Sequence, residues 1–193
     1  QGPPIVAFDG QGGQVGGHLG AETALGIEED QEHVLAAELR QLAADAGEIC
    51  RRAVEDARAF APGHGVLLET AGDLSGSWDP DRVAQALGNV IVNALAYGDP
   101  GAPVRVSARP SGDAVEIAVT NAGAPIAPEA LATLFEPFSR PPREGAVRGG
   151  LGLGLYIVRE IARAHGGSVE VSSGSTGTAF TLRLPRTAPR RGG

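Results

Sequence analysis

The sequence predicts an α/β protein built as a two-layer sandwich, with helices on one face of a mixed, mainly antiparallel sheet. Three observations predict it. The hydrophobic period alternates between helical and strand-like along the chain in the order helix, strand, helix, two strands, helix, loop, helix, two strands. The 29 glycines and 14 prolines cluster at the joints between these segments. The aromatic share is only 4%, so the core is expected to be Ala, Val, Leu and Ile.

The 193 residues accommodate one domain plus an appendage, or two small domains. A net charge of −7 argues against bulk binding to nucleic acid or to an anionic membrane surface. The single cysteine, Cys50, leaves no intrachain disulfide; among helix formers it reads as a small core residue. No apolar run approaches the ~20 residues of a membrane-spanning helix, and no signal peptide is visible. The chain has no Met and begins at Gln1, so it is expected to be a piece of a larger protein.

Residues 1–27 are Gly- and Gln-rich and read as a flexible lead-in; His18 is a solvated loop residue there. Residues 28–60 carry an apolar stripe, Leu35, Leu39, Leu42, Ala46, Ile49 and Ala53, at helical spacing. Asp45 followed by Glu48 is a capping-box pattern, so two helices meeting near residues 45–47 are an alternative to one. Val66–Glu69 is a short strand. Asp79 and Pro80 then suit the cap and first position of a helix lined by Val83, Leu87, Val90, Ile91 and Leu95. Two strands follow, Val104–Ala108 and Ala114–Thr120, around a turn at Pro110–Asp113. A short helix is expected near Glu129–Leu134, a loop over 139–150, a helix over Leu151–Ala164, and paired strands at Ser168–Ser172 and Thr178–Leu184. The basic tail after Pro185 is expected to be disordered.

Four motifs stand out. Asn89 and Asn93 lie four apart on one helical face; amide oxygens there suit a magnesium ion shared with phosphates, or are simply surface amides. Asn121-Ala122-Gly123 follows a strand and suits contact with a base edge, or is only a turn. Gly149, Gly150, Gly152 and Gly154 open a helix, where backbone N–H groups can approach phosphate. This run follows no strand and has no acidic residue ~20 positions on, so a dinucleotide-binding fingerprint fails, and a Walker lysine-serine pair is missing. Phe135 and Phe138 read as packing anchors at the base of the loop, compatible with gating.

In this order and spacing, the motifs resemble the GHKL (Bergerat-type) ATP-binding fold and, within it, the catalytic domain of sensor histidine kinases, most of all the bacteriophytochrome-type branch. The match runs from about Asp45 to Pro185 and includes Asp79–Arg82, Ala164–Gly167 and Gly177–Phe180. The resemblance implies a division into the lead-in, a helical segment 28–44 that could be the remnant of a dimerisation hairpin, a catalytic domain over 45–186, and a tail over 187–193. It implies ATP and Mg2+, with Asn93 holding the metal and Asn89 facing the phosphates. Tyr97, Asn121, Gly123, Ile126, Phe138 and Thr178 would surround the base, with Gly177 in the turn before it. Gly150, Leu151, Gly152, Leu153, Gly154 and Leu155 would wrap the phosphates. Arg140, Arg143 and Arg148 are lid cations for the γ-phosphate, of which Arg140 and Arg148 are counted as catalytic. His165 is implied to be structural, and a helix C-cap is its simpler physical reading.

The sequence also departs from the pattern. Asn89 stands where the ATPases of the superfamily carry a Glu that activates water; Asn cannot act as a general base, which favours transfer over hydrolysis. Asn121 replaces the usual Asp, and Ala96 replaces a usual cation before Tyr97. No His followed by an acidic residue stands upstream, since His33 precedes Val34. The implied function is therefore transfer of the ATP γ-phosphoryl group to a histidine on a separate domain, in cis or in trans. A response regulator receiver domain would take it from there. The implied setting is cytoplasmic, as the cytoplasmic part of a membrane-anchored sensor would also be, with a homodimer in the full-length protein. A non-catalytic nucleotide-binding module and a GHKL-type ATPase are the alternatives.

Overall fold

The computed structural model describes residues 5–8, 40–139 and 152–187. Through them run β1 (Ile5–Phe8), β2 (Leu42–Asp45), α1 (Ala46–Phe60), β3 (Val66–Thr70), β4 (Ser75–Trp78), α2 (Pro80–Tyr97), β5 (Val104–Ser111), β6 (Ala114–Asn121), α3 (Pro128–Thr133), α4 (Gly154–Ala164), β7 (Ser168–Gly174) and β8 (Gly177–Pro185). The main sheet has six strands in the order β1-β7-β8-β6-β5-β3, and β2 pairs with β4 in a second, two-stranded sheet. Within the main sheet β3–β5 is parallel and the other pairs are antiparallel. This is the two-layer α/β sandwich the sequence predicts.

The core follows from strand alternation. Val115, Ile117 and Val119 on β6 pair with Leu184, Leu182 and Phe180 on β8, and all six are buried. The alternate residues Glu116, Ala118 and Thr120 are only half-buried. Val83, Leu87, Val90 and Ile91 of α2 and Val158 and Ile161 of α4 join the same core, so both helices bring their apolar stripe to one sheet face. Burying side chains of this size stabilises by roughly 1.5–3 kcal/mol each. Cys50 belongs to this core and is fully buried, as its setting among helix formers implies.

Both predicted caps form. Asp45 accepts a hydrogen bond from the Glu48 N–H at 2.9 Å, which starts α1. Asp79 accepts from the Asp81 and Arg82 N–H groups at 3.2 Å, with Pro80 at the first helical turn of α2.

Several expectations change. Leu42–Asp45 is a strand, with Leu42 opposite Trp78 and Asp45 opposite Ser75, and not the end of a helix. The Asp45 cap and the β4 partner outweigh the helical spacing of Leu42; Leu35 and Leu39 lie outside the described residues. β4 itself escaped prediction because Ser75-Gly76-Ser77 has no apolar alternation. Gly76 lies so close to the Trp78 ring that a β-carbon would sit 2.3 Å from it, so glycine is what fits there. In the lead-in read as flexible, Ile5–Phe8 pairs antiparallel with Ser172–Val169 of β7. The β5–β6 turn contracts to Gly112-Asp113, with Gly112 at φ +59°, and Pro110 and Ser111 stay in the ladder. Pro110 is tolerated because the β3 pairing ends two residues earlier, at Thr70–Ala108, leaving β5 an edge there. The helix expected over Leu151–Ala164 starts at Gly154, after Leu153 as its N-cap. Pro185 ends β8, and Arg186 is anchored beyond it through the Asp73 and Ser75 carbonyl oxygens.

Candidate nucleotide site

The site is built where the C-terminal half of α2 meets the start of α4 and the ends of β6 and β8. α2 buries Val83, Ala86, Leu87, Val90, Ile91 and Ala94, which leaves Asn89 and Asn93 half-buried on a neighbouring face. Gly154 lies against the first of them: a β-carbon there would stand 3.8 Å from Asn89 Cβ and Cγ and 3.9 Å from its Oδ1. No side chain caps the start of α4. The start of a helix is its positive end, where N–H groups favour an anion.

At the other end of the site the backbone is drawn tight. The Gly98 N–H bonds to Ala94 O at 2.9 Å and the Asp99 N–H to Ala122 O at 2.8 Å, so the end of α2 is tied to the end of β6. A β-carbon on Gly98 would meet Asn121 Cβ at 3.2 Å, and Gly123, at φ +147°, approaches Tyr97 O. Tyr97 is 44% exposed and Asn121 only 6%. Asn121 Nδ2 donates to Ala122 O at 3.0 Å. A carbonyl can only accept, which fixes the amide orientation and makes Oδ1 the atom available to a ligand.

Asn121 pairs with Thr178 across β6–β8, and Gly177 beside it sits at φ +123°, where an added β-carbon would stand 2.1 Å from Asn121 O. Thr178 Oγ1 is 2.8 Å from Ser173 Oγ, which accepts the Ile126 N–H at 2.9 Å. Through Ser173 the loop carrying Ile126 is fastened to the strand ends, and both hydroxyl residues are buried.

Phe135 is buried and meets Phe180 edge-on at 6.4 Å, as expected of an anchor. Phe138 is not one: it is 65% exposed and holds φ +61°. Gly152, at φ +75°, packs on the Phe138 and Ser139 backbone, with 2.9 Å between Ser139 O and an added β-carbon. The chain positions on either side of residues 140–151 are therefore in contact.

Among the described residues, no group of three or more His, Cys, Asp or Glu side chains could hold a metal. A magnesium ion with one amide oxygen from Asn93 and its other oxygens from phosphates and water fits a site of this kind.

A family model described as histidine kinase-, DNA gyrase B-, and HSP90-like ATPase matches residues 78–188. The chain belongs to this family. As a member of it, the chain is 37% identical over 142 residues to a bacteriophytochrome of Pseudomonas aeruginosa, covering 73% of this chain and 20% of that protein. It is 40% identical over 129 residues to the sensor histidine kinase CusS of Escherichia coli O157:H7, covering 66% of this chain and 27% of that one. The chain thus spans only about a quarter or less of these relatives. Among solved structures it resembles the catalytic domain of histidine kinase ThkA, with a TM-score of 0.68, 25% identity and 78% and 97% of the two chains covered. It also resembles the mycobacterial sensor histidine kinase MprB, with a TM-score of 0.66, 26% identity and 77% and 99% covered. These likenesses place this ATPase-family domain among those of sensor histidine kinases, as its motifs suggest.

Within this family domain, Asn89 lies against Gly154, with Gly152, Leu153 and Leu155 beside it in the chain and Asn93 one turn on along α2; Tyr97, Asn121, Gly123, Ile126, Gly177 and Thr178 belong to the linked ends of α2, β6 and β8 and the loop after β6. Arg140, Arg143, Arg148, Gly150 and Leu151 lie outside the described residues. Ser173 was missed. It falls just beyond the predicted end of its strand, and only its pairing with Thr178 reveals it. His165 caps α4 as expected, but its Nε2 also reaches the start of α2, accepting from the Asp79 N–H at 3.0 Å. Among the described residues no helix is long and apolar enough to cross a membrane.

Proposed function

We propose that the chain is the ATP-binding catalytic part of a sensor histidine kinase and passes the ATP γ-phosphoryl group to a histidine on a separate domain or chain. The observation that carries this reading is Asn89 standing against Gly154 at the uncapped start of α4. At the position where the family's ATPases carry a water-activating Glu stands the Asn89 amide, which cannot act as a general base.

In this reading Tyr97, Asn121, Gly123, Ile126 and Thr178 hold the adenine, and the fixed Oδ1 of Asn121 accepts from its amino group. Gly152 and Gly154 let the backbone approach the phosphates. Asn93 supplies an oxygen to Mg2+, which when bound neutralises phosphate charge. Arg140 or Arg148 would meet the γ-phosphate. The bond from Pγ to the ADP oxygen breaks, a bond from Pγ to an imidazole nitrogen forms, and ADP leaves. The domain's contribution is positioning and charge neutralisation. The partners are a phosphoacceptor histidine domain and a receiver domain, in a homodimeric protein whose kinase part lies on the cytoplasmic side.

The test is transfer of label from γ-labelled ATP to an added phosphoacceptor domain. Label on a histidine of that domain supports the proposal. Nucleotide binding without transfer would make the chain a regulatory module, and steady release of free phosphate would make it an ATPase.

A further inference from the structure

His165 is buried at the C-terminal end of α4, and its two ring nitrogens have different partners. Nδ1 lies 2.8 Å from Ile161 O, and Nε2 lies 3.0 Å from the Asp79 N. A carbonyl only accepts and a backbone amide only donates, so Nδ1 carries the proton and Nε2 is the bare acceptor. The ring is neutral, and it joins the end of α4 to the residue that caps α2.

Asp79 is itself a junction. Its Oδ1 accepts from Asp81 and Arg82, and its Oδ2 accepts the Arg40 N–H at 3.1 Å, at the point where the chain enters β2. From Asp79 to Asn89 is ten residues of α2, about 15 Å at the helical rise; from His165 back to Gly154 is eleven residues of α4, about 16 Å. The helices thus run antiparallel with legs of nearly equal length. They are pinned at one end by His165 and Asp79 and carry the nucleotide site at the other.

We propose that His165 is a positioning residue that fixes α4 against α2 and couples the Asn89–Gly154 end of the pair to the Arg40 backbone just before β2. This rests on the nucleotide-binding reading. The coupling has a direct physical basis. Both helices pack rigidly into one core, so a change in their separation at the site must be taken up at the joint. A protonated imidazole would set a second donor against the Asp79 N–H and open the joint. Among the described residues the charge acting on His165 is the Asp79 carboxylate.

The molecule carries its own reporter. Trp78 is the chain's only tryptophan. It is fully buried, adjoins Asp79, and donates from Nε1 to Pro185 O at 2.7 Å. The experiment adds Mg-ADP to the wild-type chain, His165→Gln and His165→Leu, and follows affinity by calorimetry and Trp78 emission by fluorescence. Glutamine can present an amide oxygen to the Asp79 N–H; leucine cannot. The wild type is expected to shift its Trp78 emission on saturation. His165→Gln should keep that response with affinity within about twofold. His165→Leu should bind at least fivefold more weakly and lose the response even at saturation.

A wild-type Trp78 emission indifferent to calorimetrically proven binding would overturn the proposal, as would a leucine variant with wild-type affinity and response. Should the leucine variant not fold, the wild type and His165→Gln are compared from pH 7.5 to 5. A response that fades with acid in the wild type alone supports the coupling, and identical profiles refute it. Absence of calorimetric binding in the wild type would instead refute the nucleotide reading itself.

Discussion

Gly154 faces Asn89 across the α4–α2 junction with room for a single methyl group at ordinary contact distance, 3.8 Å from the nearest side-chain carbons. Gly154 is helical and its φ is not positive, so alanine costs the backbone nothing there. Gly154→Ala is therefore expected to fold with unchanged stability, or to gain up to about 1 kcal/mol from helix propensity. The methyl would narrow the gap through which phosphate reaches the helix N–H groups. ATP affinity should fall by about tenfold or more while the thermal midpoint holds or rises. Unchanged affinity by calorimetry would remove Gly154 from the site.

Asn93 is assigned the magnesium, and its removal separates metal-dependent from metal-independent binding. Half-buried and four residues past Asn89, it can lose its amide without opening the α2 core. In Asn93→Ala, ATP affinity with Mg2+ should equal that of the wild type in a chelator. A variant that still binds more tightly when Mg2+ is added would show that the ion is held elsewhere.

Asn121 separates two roles in one amide. Its Nδ2 satisfies Ala122 O, and its Oδ1 is left for the base. Asn121→Ala removes both and should weaken ATP binding by about 1–3 kcal/mol, or roughly 5- to 150-fold. Asn121→Asp, which installs the residue common in the resembled family, keeps an acceptor but loses the donor to Ala122. It should retain ATP affinity and lose about 1–3 kcal/mol of fold stability. Calorimetry paired with thermal melting distinguishes the two substitutions; a carboxylate variant as stable as the wild type would show that the pin to Ala122 contributes little.

The contrast between what the sequence disclosed and what it concealed is physical. α2 was legible because an acidic cap, a proline at the first turn and a helical apolar stripe all agree. The spacing of Asn89 and Asn93 on it left a magnesium site and plain surface amides equally open, and their proposed roles come from the resemblance. β4 was hidden because its cause is tertiary: Gly76 is dictated by the Trp78 ring above it, and β2 is a strand only because β4 is there to pair with it. Ser173 was hidden in part for the same reason: Thr178 is its partner across the β7–β8 hairpin, but Ile126 lies 47 residues away in sequence. His165 was half legible. Its place at a helix end was readable, but its bond to Asp79 spans 86 residues and leaves no local trace.

The same bond predicts how stability depends on pH. Burial lowers the His165 pKa, and the Ile161 carbonyl and the Asp79 carboxylate oppose it only in part. The folded state therefore binds fewer protons at this site than the unfolded chain. Its contribution is complete above the ordinary histidine value of about 6.5 and is lost as pH falls from there through the depressed folded value. For Asp79, burial works against the charge, but the N–H groups of Arg40, Arg82 and Asp81 outweigh it and hold the pKa below the usual range. Its contribution is present above about 3.9 and disappears as pH falls through the folded value. Thermal midpoints should be level above neutrality and decline in two acid stages. His165→Gln should flatten the upper stage and spare the lower one; an upper stage unaltered in that variant would mean another group causes it.

Cys50 gives a probe of opening that is independent of the nucleotide site. It is fully buried in α1, and burial first, with Asp45 assisting, pushes its thiol up to about 12. At pH 8 only about one thiol in ten thousand would be ionised, and only the thiolate attacks a disulfide reagent. Labelling by such a reagent should therefore be slow in the native state and should require the α1 region to open. Mg-ATP, bound to the folded form alone, should slow it further if opening at α1 is part of global unfolding. The measurement is the labelling rate in increasing urea with and without nucleotide. A rate that matches a free thiol in native buffer would contradict the burial of Cys50. A rate indifferent to saturating nucleotide would show that α1 opens on its own, while the α2–α4 pair remains closed.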